Sequence, residues 1–300
     1  MAFWILVIIL SYLFFSIASL GDKLVLGKVI DAKTYTFYVG VLGLFAVLLI
    51  PFAQFSFPEP IIFVWIALAS ITNFTGLYLL FSAIKKFEVS RVLPVAGALQ
   101  PILILIFTAL FFGGQTIGRV NMLAFAILLL GSIIISIEKK LNLTKSFLKI
   151  TGSAAIFISL GFIFSKLVFL DTDFVSGLVF LGIGGCLCVL VFLFEKSFRQ
   201  KVFSGQGADV KKSALVLSTQ ASGALAGILQ NFAISIAPVS GLAVMNALRG
   251  VQYVFLFALV VLISHWKPNL LKESFSRKAI IQKLVAMMLI IVGLVILTYT

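Results

Sequence analysis

Ten apolar blocks alternate with short polar connections along the 300 residues. They fall near 2–22, 35–52, 61–84, 92–112, 120–137, 151–170, 174–194, 213–236, 240–264 and 279–299. Crossing the hydrocarbon core of a bilayer takes roughly 20 helical residues, so each block predicts a transmembrane helix. The pattern is also written twice. Lys23-Leu24-Val25-Leu26, closing the first block, returns as Lys166-Leu167-Val168-Phe169 near the end of the sixth. Ala83-Ile84 with Val89-Ser90 returns as Ala233-Ile234 with Val239-Ser240. With five blocks per copy, an odd number, the second copy enters the membrane the opposite way up. The expected fold is therefore an all-α integral membrane protein of ten transmembrane helices, built as two inverted five-helix repeats around a central cavity. Residues 1–140 form the first repeat, 141–150 a linker and 151–300 the second.

Composition agrees with a membrane chain. Apolar residues make up 62% and charged residues 11%, and mean hydropathy is +1.22. A soluble surface needs far more polar side chains than that. The formal charge of +13 raises the question of nucleic acid, and the placement of the charges answers it. Connections after blocks 2, 4, 6 and 8 hold Arg119 alone, while those after odd-numbered blocks hold most of the rest. This positive-inside asymmetry puts the odd connections in the cytoplasm and both termini outside, in a multi-pass protein of the cytoplasmic membrane. The expected partners are membrane lipids and a small solute, with no nucleic acid; a homodimer stays open. The connections are too short for an inserted catalytic or nucleotide-binding domain. An N-terminal signal peptide is disfavoured, because removing it would leave the sixth block without its counterpart.

A charge at mid-span costs at least about 2.5–3.5 kcal/mol, so one placed there needs a reason. Arg249 lies about ten residues into the ninth block, and Asn246, Gly250 and Tyr253 share its face at helical spacing. A guanidinium with five donors suits a carboxylate or phosphate, though it could instead pair with backbone carbonyls or snorkel to a headgroup. Lys166 and Lys23, equivalent by the repeat, are expected near opposite mouths of the path, as solute contacts or as snorkelling side chains. Asn73 and Tyr78 in block 3, and Gln220 and Asn231 in block 8, could bind solute or tie helices together. Pro94, Pro101 and Pro238 interrupt helix hydrogen bonding, as hinges or as ordinary kinks. Gly114 with Gly118, and Gly223 with Gly227, have the spacing of close helix packing. Cys186 and Cys188 read as packing residues. Neither a metal-ligand cluster nor a cofactor motif is present, and the only histidine, His265, sits at a span end.

The organisation resembles the drug/metabolite transporter superfamily, in particular its EamA-type members. In the first copy the likeness rests on Ala83 to Ser90, Pro94 and Pro101, Phe111-Phe112-Gly113-Gly114-Gln115 and Gly131. In the second copy it rests on Ala233 to Ser240, Gly241 and Gly293. Two departures stand out. Gln115 occupies a place where the family commonly has glutamate, and the charge pattern puts the termini outside where ten-span members commonly have them inside. The resemblance implies a transporter and no catalytic residues.

With no Asp or Glu at mid-span and a cation at Arg249, the residues favour an anionic or zwitterionic solute over a cationic drug. The leading reading is a secondary carrier working by alternating access on an amino acid, organic acid or phosphorylated metabolite. The alternatives are a flippase for lipids or lipid-linked substrates and, less supported, an intramembrane enzyme.

Overall fold

The structure, a computed structural model, describes residues 2–25, 31–87, 89–113, 118–136, 144–203, 210–266 and 277–298. Within these ranges the side chains of 23–25, 89–91, 94, 136, 210–216, 263–266, 277–280 and 298 fall outside the description. The first half contains α1 (Phe3–Val25), α2 (Ala32–Leu42), which continues as a 3-10 helix over Gly43–Phe52, α3 (Pro60–Lys86), α4 (Val89–Phe111) and α5 (Arg119–Ser136). The second contains α6 (Lys145–Leu170), α7 (Phe174–Leu190), α8 (Lys196–Phe203), α9 (Val210–Ile236), α10 (Leu242–Ala247), α11 (Gly250–Trp266) and α12 (Arg277–Thr298). No strand occurs among the described residues. Six segments are long and apolar enough to cross a membrane, and three shorter apolar helices lie within α4, α5 and α12. Phe3, Leu48, Leu110, Leu187 and Met288 stand exposed on the outside, a surface that water would not tolerate but acyl chains would.

Start signals explain several boundaries. Asp31 caps α2 by accepting from the Thr34 amide at 2.8 Å, and Asp173 caps α7 by accepting from Ser176 at 2.9 Å. These are the second long helices of the two halves, so the caps form another repeated signature. The repeated Ala-Ile motif also has one role in both copies. Phe87 donates its amide to Ala83 O at 2.8 Å, and Ala237 donates to Ala233 O at 2.9 Å, closing α3 and α9 alike.

Counterpart helices from the two halves lie side by side and antiparallel. Along α2 and α7, Gly40 meets Val189 and Gly185, Gly43 meets Gly182, and Ala46 packs with Leu178 and Val179. Along α5 and α12, Leu128 meets Gly293, Gly131 meets Ile290, and Gln282 donates to Ile134 O at 2.6 Å. In each pair one number rises as the other falls, as inversion of one half requires. The most extensive interfaces are α3 with α6 and α1 with α9, which are also exchanged by swapping the halves. The largest buried cluster joins α1, α5, α6, α9, α10 and α12 through residues such as Ile8, Leu128, Ile163, Ala233, Met245 and Ile290.

Three expectations need correction. The ninth block is not one helix: it opens with a 3-10 turn at Val239–Gly241 and breaks again at 248–249. Residues 145–150 of the expected linker are the opening turns of α6, capped by Thr144, which accepts from Phe147 N at 3.2 Å. Among the described residues, a Cβ on Gly118 or Gly227 would meet nothing within 4 Å, and one on Gly223 only Ala18 at 3.8 Å, while Gly114 lies outside them. Close approach instead uses Gly43, Gly161, Gly182 and Gly250, because glycine is needed where a neighbour's atoms stand, not where a spacing recurs.

Candidate functional site

Helix interruption creates the site. α10 ends at Ala247 and α11 begins at Gly250, so Leu248 and Arg249 form a turn in the middle of the span Val239–Leu262. Around it the hydrogen bonds shorten to three-residue steps: Arg249 N to Asn246 O at 3.1 Å and Val251 N to Leu248 O at 2.9 Å. Carbonyls released by such a break must find other donors in a dry interior. The Tyr12 hydroxyl of α1 donates to Met245 O at 2.7 Å, and the Ser132 hydroxyl of α5 donates to Ala247 O at 2.8 Å. Gly250 is required beside this contact, since a Cβ there would stand 2.3 Å from Ser132 Oγ.

Arg249 points from the break toward α4, where its guanidinium donates to Gln100 Oε1. The same guanidinium stands beside the Tyr12 hydroxyl. Tyr253, one turn on, donates to Leu93 O of α4 at 3.0 Å and packs its hydroxyl on Gly97. Asn246 and Gln100 are each only 1% exposed. Around Arg249, donors outnumber acceptors: Arg249 Nε, Asn246 Nδ2 and Gln100 Nε2 are buried with no partner among the described residues. Among the described residues no carboxylate hydrogen-bonds the guanidinium there. A cation with three N–H groups that have no acceptor among the described residues is chemically matched to a carboxylate or phosphate.

Of the residues singled out from the sequence, the structure brings together Arg249, Asn246 and Tyr253 and adds Gln100 and Tyr12. Gln100 satisfied the same criterion as Gln220, an amide deep in a span. Tyr12 carries no sequence signal that separates it from other span tyrosines. Pro101 is buried beside Gln100 inside the continuous helix α4. Pro238 stands where α9 gives way to the 3-10 turn. Pro94 is within α4, but its side chain is outside the description, as is that of Lys23 at the end of α1.

The other candidates go elsewhere. Lys166, 3% exposed, donates to Ile234 O at 3.0 Å, Ser235 O at 3.1 Å and Ala237 O at 2.7 Å. All three of its hydrogens serve the carbonyl end of α9, a C-terminal cap rather than an open hand. Asn73 packs on Gly161 of α6, and Asn231 donates to Gly227 O of its own helix at 2.9 Å. Gln220 is buried in α9 with Nε2 unpartnered. Tyr78 faces a cavity of about 620 Å³ at one end of the bundle, bordered by Lys33, Lys85, Lys86 and Lys201. Arg249 is not among the residues bordering that cavity.

At that mouth, ion pairs join the halves: Lys33 with Glu195, and Lys201 with Asp31. Hydrogen bonds from Lys33 and Ser197 hold the Glu195 carboxyl below its ordinary range. Burial pushes Asp31 up, but hydrogen bonds from Lys201 and Thr34 outweigh it and leave the group lowered. Lys86 reaches Ser146 at 3.0 Å. The connections after α1, α3 and α7 and the start of α6 thus meet at one end. Ser56, whose hydroxyl donates to Asp173 at 3.1 Å, marks the other.

The fold is that of a polytopic membrane protein. Residues 2–137 match the EamA-like transporter family, consistent with an EamA-type transporter of the drug/metabolite superfamily. No curated protein gives a significant match to the chain. A crystal structure described only as that of a protein aligns with 99% of this chain and 95% of its own. Its TM-score is 0.67 at 14% identity, a likeness of fold alone.

Proposed function

We propose that the protein is a secondary carrier that moves a small anionic or zwitterionic metabolite across the cytoplasmic membrane by alternating access. The observation that carries this reading is the half-buried Arg249 at a helix break, with Asn246 Nδ2, Gln100 Nε2 and its own Nε lacking acceptors among the described residues. A solute carboxylate or phosphate would fill those donors, and Tyr253 and Tyr12 would wall the position. Because Arg249 and Asn246 come from the second half while Gln100 and Tyr12 come from the first, a bound solute would be held between the halves. Rocking of one half against the other would then expose it to alternate sides. In this reading α9 joins the nine apolar helices as a tenth span, and 1–140 and 151–300 are the two repeats. Odd-numbered connections face the cytoplasm, following the charge asymmetry. Family members are transporters, which points away from catalysis.

The test is Arg249→Ala assayed for uptake or efflux of candidate acids in proteoliposomes. Loss of a charge-assisted hydrogen bond of about 1.5–3 kcal/mol predicts a roughly ten- to hundredfold fall in transport efficiency. Membrane insertion should be normal. Wild-type transport by this variant would remove the assignment. A flippase reading predicts instead that a fluorescent phospholipid changes leaflet faster in protein-containing vesicles than in empty ones.

A further inference from the structure

We infer that the cavity at the α1–α2, α3 and α7–α8 end is a binding site for a phosphate-bearing anion, separate from the Arg249 site. Four lysines border it: Lys33, Lys85, Lys86 and Lys201. Two of the four are neutralised across the halves, Lys33 by Glu195 and Lys201 by Asp31. Lys86 has the uncharged Ser146 hydroxyl at 3.0 Å, and Lys85 has no hydrogen-bond or ion-pair partner among the described residues. Two positive charges on adjacent residues therefore face a concavity with no counterion among the described residues.

The chemistry of the wall narrows the ligand. Tyr78, Ser82 and Lys85 recur at helical spacing along α3 and all border the cavity, so hydroxyls and ammonium are presented together. Compact ammonium groups with rotatable donors can serve the several oxygens of a phosphate. The volume of about 620 Å³ lies within the range of small-molecule sites and exceeds what bare phosphate occupies. Phe198, 4% exposed, adds an apolar wall and holds Lys33 by its ring at 4.8 Å. An organic phosphate fits this mixture, whether a soluble phosphate ester or the headgroup of an anionic phospholipid.

The site makes no use of Arg249, so its failure and that of the carrier reading can be told apart. Full-length protein in phosphatidylcholine nanodiscs is titrated with glycerol 3-phosphate while its melting temperature is followed. A second set of nanodiscs carries phosphatidic acid. A saturable rise with the soluble ester marks a free phosphate ligand, and a rise only with phosphatidic acid marks a lipid ligand; both support the site. Lys85→Gln combined with Lys86→Gln should weaken the effect at least tenfold, while Arg249→Ala should leave it unchanged. Phosphatidic acid and ester both without effect, or equal affinity in the double glutamine variant and wild type, overturns the proposal. Loss of the response in Arg249→Ala alone overturns it too.

Discussion

Lys166 is buried and Arg249 half-buried in this bundle, and their surroundings assign them different work. Lys166 ends on three carbonyls of α9 and has no hydrogen left. Arg249 keeps a buried Nε without an acceptor. The same sequence argument, a charge inside hydrocarbon, selected both. Only the neighbours distinguish a completed cap from an incomplete cluster. Lys166→Met should therefore lower the melting temperature, through about 1–3 kcal/mol of lost hydrogen bonding, and leave the solute concentration at half-maximal transport unaltered. If stability were retained while half-saturation moved, Lys166 would be a solute ligand after all.

At the scale of elements, glycines and caps set how the halves join. Gly182 sits so close to α2 that a Cβ would come within 2.4 Å of Gly43 O, a backbone atom that cannot rotate away. Gly182→Ala should push α2 from α7 at a cost of about 1–3 kcal/mol. Gly227→Ala, where a Cβ meets nothing within 4 Å, serves as the near-neutral comparison in the same melting experiment. The α2 cap gives a pH-dependent counterpart. Asp31 has a lowered pKa in the folded chain, so its contribution is fully present above the unfolded carboxylate range, near about pH 4. It fades as pH falls through the lower folded value. Asp31→Ala should cost about 1 kcal/mol at neutral pH, and the gap from wild type should close as the solution is acidified.

The whole molecule has two chemically different ends. Lysines, two cross-half ion pairs and the cavity gather at one, and the Ser56–Asp173 contact marks the other. If positive charge is retained in the cytoplasm, the lysine-rich end is inside. Single cysteines in a background lacking Cys186 and Cys188 report this directly. Ser56→Cys should react with an impermeant maleimide in intact cells, and Ser197→Cys only after permeabilisation. The reverse pattern would place the cavity outside and overturn the orientation.

The helical class and the apolar character of its helices were legible in the chain, because hydrocarbon demands long apolar helices, and the repeated Lys-Leu-Val and Ala-Ile motifs stand out as local strings. Arg249, Asn246 and Tyr253 could be grouped because they are close in sequence. Gln100 and Tyr12 could not, since their relation to Arg249 arises from packing between the halves. The break at 248–249 escaped notice because no proline marks it: donors from α1 and α5 stabilise it. Sequence alone thus determined what enters the membrane and that it does so as a repeated pattern. Tertiary structure decided which buried polar groups are satisfied and which still want a partner, because hydrogen-bond satisfaction depends on residues that meet only after folding.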